Sequence, residues 1–123
     1  MLLQRSGVGA GFGGTAELPA DEFSLRGYAQ WVADLLDSLE IEEPAVVVGH
    51  SFGGGVSVRF AHDFRSRVRS LVLVNYDTRA AIVTVPGLAP GARLQPLYPA
   101  GTAPVATDTL TLAPQSIQVF DIR

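Results

Sequence analysis

The sequence predicts an α/β protein, a parallel sheet with helices packed against it, followed by an irregular, proline-rich C-terminal tail. Three observations carry this expectation. Ala45, Val46, Val47 and Val48 form a short apolar run rich in β-branched residues, and Leu71, Val72, Leu73 and Val74 form a second. Runs of this length, bounded by turn residues, suit strands buried on both faces of a parallel sheet. Helical periodicity precedes the first run and separates it from the second, so the order reads helix, strand, helix, strand with short links. That order is the signature of crossover units, which join parallel strands and are almost always right-handed.

Taken in order, residues 4–22 hold five of the thirteen glycines together with Pro19 and show neither period, which predicts a connecting loop. From Leu25 the apolar positions Leu25, Tyr28, Val32, Leu35, Leu36 and Leu39 trace one face of an amphipathic helix. Ser24 stands where an N-cap belongs. Glu40, Glu42, Glu43 and Pro44 close the helix, because a proline biases the residue before it away from helical angles. After the glycines at 53–55, Phe52, Val56 and Phe60 stand four apart and predict a second helix ending within 63–67. Beyond Asn75 the character changes. Residues 76–123 carry six of the eight prolines and no helical stripe, although residues 109–112 and 117–120 alternate in the manner of strands. The chain therefore divides into a core over residues 1–75 and a stretch over 76–123 that is an unassigned tail or a diverged lid.

A length of 123 residues allows one domain at most, and 47% hydrophobic against 17% charged residues is the composition of a chain with a packed core. The net charge of −3 arises from nine arginines and no lysine against twelve acids. The one dense basic cluster is Arg65, Arg67 and Arg69, so nucleic acid is not an expected partner. The absence of cysteine excludes disulfides, thiolate metal sites and a cysteine nucleophile, and makes a reducing cytoplasm the default location. No apolar region of signal-peptide length opens the chain, and residues 80–92 are too interrupted and too short for a membrane span of ~20 residues. No membrane association, cofactor or metal is expected.

Gly49, His50, Ser51, Phe52 and Gly53 fit G-x-S-x-G, directly after a predicted strand and directly before a predicted helix. A strand that turns this sharply into a helix holds its serine in a strained conformation, and flanking glycines let backbone approach without Cβ clashes. Such a turn pushes the Ser51 Oγ out at the top of the sheet. The amide N–H of Phe52, in the first helical turn, then faces a developing oxyanion and is helped by the helix dipole.

Residues 46–55, Val-Val-Val-Gly-His-Ser-Phe-Gly-Gly-Gly, resemble the fifth strand, nucleophile elbow and following helix of the α/β-hydrolase family, and residues 71–75 resemble its sixth strand. Gly11, Phe12, Gly13, Gly14 and Thr15 are similar to the G-x-G-x-S/T loop after the family's fourth strand. The resemblance covers about residues 9–75. It implies a truncated doubly wound sheet and esterase-like acyl transfer, in which Ser51 attacks a carbonyl, an acyl-enzyme forms and water releases it. A serine at this position argues against the family branches that use an aspartate nucleophile.

The pattern also departs from the family. The family's base is a histidine placed late in the chain, whereas this sequence has only His50 and His62. His50 adjoins the nucleophile and is expected to pack rather than to act as base. His62 lies eleven residues past Ser51, about 16 Å along a helix. Asp77, after the sixth strand, is the one acid to nominate. The resemblance further implies that the earlier strands, the first oxyanion donor, the lid and the final strands have no counterpart here. Gly9, Gly11 and Gly14 satisfy G-x-G-x-x-G, but no strand immediately precedes them and the helix starts about ten residues later, so nucleotide binding is not expected. The expected function is that of a serine hydrolase acting on a small ester-like substrate, incomplete and weakly active alone; the alternative is a non-catalytic hydrolase remnant or interaction module. Uncovered sheet edges favour marginal stability and self-association.

Overall fold

A computed structural model of the chain describes residues 2–3, 24–50, 52–85, 93–100, 105–106 and 109–122. The glycine-rich loop, residues 86–92 and Ser51 itself lie outside the described residues. Helix α1 spans Leu25–Ser38, and Ser24 caps it as expected: its extended backbone, φ −153°, lets its side chain accept a hydrogen bond from the Gly27 amide at 3.0 Å. Tyr28, Ala29, Val32, Ala33 and Leu36 are buried. Leu39, expected on the same stripe, is instead 59% exposed, because the helix has already ended and Leu39 is its C-cap.

The termination has a defined geometry. Glu40 takes a positive φ of 58°, its amide donates to Asp37 O at 3.0 Å, and the Ile41 amide donates to Leu36 O at 2.9 Å. These are the two hydrogen bonds of a Schellman cap, with glutamate where glycine is usual. Arg67 secures the same end, donating to Asp37 Oδ1 at 2.8 Å and to Ile41 O at 2.9 Å.

Strand β1 (Leu2–Leu3) pairs in parallel with β2 (Ala45–His50), which pairs in parallel with β3 (Val68–Asn75). Helix α2 (Phe52–Asp63) connects β2 to β3 through a short 3₁₀ turn at Arg65–Arg67. The tail, which the sequence left without a place in the fold, contributes strands. These are β4 (Ala81–Thr84), β5 (Arg93–Tyr98), β6 (Val105–Ala106), β7 (Thr109–Leu112) and β8 (Ser116–Ile122). The alternating segments at 109–112 and 117–120 are thus strands, as their pattern predicts. β8 runs antiparallel to β3, with Leu71 opposite Phe120, and the main sheet has the order β1-β2-β3-β8-β5-β6. β4 and β7 form a separate two-stranded sheet.

Sequential right-handed crossovers in one direction along a sheet place their helices on one face. α1 accordingly packs on α2, and α2 on β2 and β3. One core joins Leu36, Phe60, Leu71 and Leu73 to Leu110, Leu112 and Phe120 of the tail. Each such side chain, fully buried, contributes about 1.5–3 kcal/mol. The expectation of strands buried on both faces does not hold. Val47 is fully buried, but Val46, on the opposite face, is 41% exposed, since both helices lie on the Val47 side.

Candidate functional site

β2 ends at His50 and α2 begins at Phe52, so one position, 51, separates the strand from the helix. Gly49 shows why the turn needs glycine. A Cβ there would lie 2.6 Å from Gly53 O and 2.9 Å from Gly54 Cα, and would overlap Ser57 Oγ. Ser57 is buried and donates its hydroxyl back to Gly53 O at 2.6 Å, a hydrogen bond within the first turn of α2, and its Oγ is one of the atoms crowded against Gly49. Phe52 opens α2, so its N–H belongs to the first helical turn, directly after the turn from β2. The Phe52 ring meets Tyr28 of α1 edge-on, 5.1 Å between centroids, and Gly55 lets Leu25 approach α2 closely. The packing of α1 on α2 thereby positions the helix start.

A cavity of about 470 Å³ opens at the C-terminal ends of β2 and β3, lined by Gly49, His50, Asn75, Tyr76, Asp77 and Arg79 among others. In open α/β sheets this is the end at which ligands bind. The His50 ring lies 4.4 Å from that of Tyr76, tilted by 50°. Asp77, the nominated acid, accepts from the Arg79 amide at 3.1 Å and the Thr78 hydroxyl at 3.5 Å, so its carboxylate shapes the turn that borders the cavity.

Three contributors escaped the sequence reading. Asn75 is buried, and its Nδ2 donates to Arg79 O at 2.8 Å and Ala113 O at 3.0 Å, while its Oδ1 accepts from the Asp77 amide at 3.0 Å. It thus ties the end of β3 to the cavity wall and to the tail. A polar residue closing an apolar strand was the available signal. Tyr76 and Ser57 carried none beyond proximity to the motif.

His62 lies at the far end of α2, its Nδ1 2.8 Å from Asp63 Oδ1, and Arg59 Nε donates to Asp63 Oδ2 at 2.7 Å. Burial pushes the Asp63 carboxyl up, but hydrogen bonds and charge from Arg59 and His62 outweigh it and hold the group below its ordinary value. Among the described residues no group of three or more acids or histidines is placed to hold a metal, and no helix is long and apolar enough to cross a membrane.

Comparison with known proteins agrees with the architecture. Residues 7–107 match the alpha/beta hydrolase fold family, and the chain belongs to that family. It is 42% identical over 62 residues to an uncharacterized protein of Mycobacterium tuberculosis, which covers 50% of this chain and 18% of the relative. A poly(3-hydroxyalkanoate) depolymerase of Ectopseudomonas oleovorans is 38% identical over 77 residues, 63% of this chain and 26% of the relative. A 2-hydroxy-6-oxo-2,4-heptadienoate hydrolase of Pseudomonas putida is 39% identical over 64 residues, 52% of this chain and 23% of the relative. The chain thus matches only about a fifth to a quarter of the length of these relatives. No solved structure matches it.

Proposed function

We propose that the chain carries the nucleophile elbow of a serine hydrolase, with Ser51 as nucleophile and the Phe52 amide as one oxyanion donor, acting on a small ester-like substrate in the cytoplasm. The observation that carries this reading is the one-residue link between β2 and α2, packed so tightly at Gly49 that only glycine fits. Gly53 and His50 flank the serine, and Asp77, on the rim of the same cavity, is the proposed acid. The names of two relatives, a depolymerase and an oxo-dienoate hydrolase, support hydrolysis as the reaction class.

In this reading the machine is incomplete. The chain has two histidines; one packs on Tyr76 and the other pairs with Asp63 at the opposite end of α2. Without a base the serine is a weak nucleophile. The expected outcome is therefore slow, stoichiometric labelling by a fluorophosphonate, accelerated by added imidazole as a diffusible base and abolished in Ser51→Ala. Folded protein that stays unlabelled with imidazole present would sink the reading and favour the second one, a non-catalytic remnant or interaction module, which the engagement of both histidines elsewhere supports.

A further inference from the structure

Tyr76 is 71% exposed and Ile82 69%, and both line the cavity at the C-terminal ends of β2 and β3. Exposed apolar side chains gathered at one concavity mark a ligand site, where single ones scattered over a surface do not. The Tyr76 ring packs on the ring of His50, 4.4 Å between centroids, and His50 directly precedes position 51 in the chain. The backbone that carries Tyr76 is braced on its C-terminal side. Asn75 accepts from the Asp77 amide and donates to Arg79 O, and the Gln115 amide donates to Asp77 O at 2.8 Å. An aromatic side chain on a fixed backbone has few torsions left to lose when a ligand arrives. Among the described residues of the lining, the charged pair, Asp77 and Arg79, is opposite in sign.

From the paired rings we infer that the cavity takes a neutral aryl ester, its aromatic group stacked on Tyr76, and that Tyr76 sets a preference for aryl over alkyl esters. Aromatic rings attract one another in offset or edge-on arrangements with centroids about 4.5–7 Å apart, beyond what burial of area alone supplies. A ligand ring added to the His50 and Tyr76 pair gains that attraction, whereas an alkyl group in its place gains only area. The difference amounts to about three- to ten-fold in affinity. A volume of about 470 Å³ lies within the range of small-molecule sites and has room for an ester with a single ring. A ligand with a net charge of either sign meets a like charge on Asp77 or on Arg79, so a neutral one fits this wall. The fate of the ester rests on the reading of Ser51 as nucleophile; its binding does not need the serine.

NMR titration of the Ser51→Ala chain with phenyl acetate and with ethyl acetate tests this, with circular dichroism confirming that each variant folds. The expected result is saturable binding of phenyl acetate, about three- to ten-fold tighter than ethyl acetate, with an upfield ring-current shift of the His50 imidazole protons. Adding Tyr76→Ala removes the advantage, and adding Tyr76→Phe, which keeps the ring, retains it. Absence of phenyl acetate binding, equal affinities for the two esters, or a folded Tyr76→Ala variant that keeps the preference overturns the inference. Preferential phenyl acetate binding by a chain whose Ser51 resists fluorophosphonate sustains it and sinks the nucleophile reading alone.

Discussion

Gly49 and Gly54 belong to one glycine-rich stretch, yet they answer to different physics. A methyl group at Gly49 meets backbone atoms that cannot swing aside, whereas at Gly54 its nearest neighbour is Leu73 Cδ2 at 4.0 Å, an ordinary contact. Gly49→Ala is expected to destabilise the chain by about 1–3 kcal/mol, the range for forced overpacking. Gly54→Ala is expected to leave stability unchanged or to raise it by up to about 1 kcal/mol, since alanine is the better helix former. Urea titration of both variants checks the pair; equal effects would mean that the crowding at Gly49 is relieved by movement of α2. The need for Gly49 was legible in the sequence, because the motif ties glycine spacing to a sharp turn. The role of Asn75 was not, because the alternation over 109–112 marks a strand without telling which part of the chain it lies beside, and the partners Leu112 O and Ala113 O follow from that placement.

At the scale of elements, α1 was legible down to its cap, since Ser24 and the apolar spacing act through neighbours in the chain. Its end was legible only as a place, and the left-handed Glu40 emerged from the structure. A side chain at positive φ is strained where glycine is not. Glu40→Gly is therefore expected to stabilise the chain by about 0.5–1 kcal/mol in thermal or urea unfolding, and destabilisation would show that the glutamate side chain outweighs the strain. Helix α2 ends in the Arg59, His62 and Asp63 cluster. Because the Asp63 carboxyl is held below its ordinary value, the folded chain binds that proton less tightly than the unfolded chain. Its contribution is complete above the unfolded carboxylate range and fades as pH falls through the lower folded value. Asp63→Asn should thus cost stability at about pH 7 and progressively less toward about pH 3. A cost that stays constant with pH would assign the effect to packing instead.

At the scale of the molecule, the parallel half of the sheet and its crossovers were legible because apolar runs and helical stripes alternate within residues 25–75. The apolar run's expectation of strands covered on both faces misled at Val46, since coverage depends on elements outside the run itself. The antiparallel half was legible only in fragments. Residues 109–112 and 117–120 announced themselves by alternation, while β5 contains Pro96 and pairs across a bulge, which erases the period-two signal. The sheet's order also has a consequence in time. β3 lies inside the sheet, yet its second neighbour is β8, roughly 40 residues later in the chain. At about 5–20 residues per second of synthesis, β3 spends seconds with one ladder edge open after it has emerged. In that interval the nascent chain is most exposed to wrong partners, and it is the arrival of β8 that closes the gap.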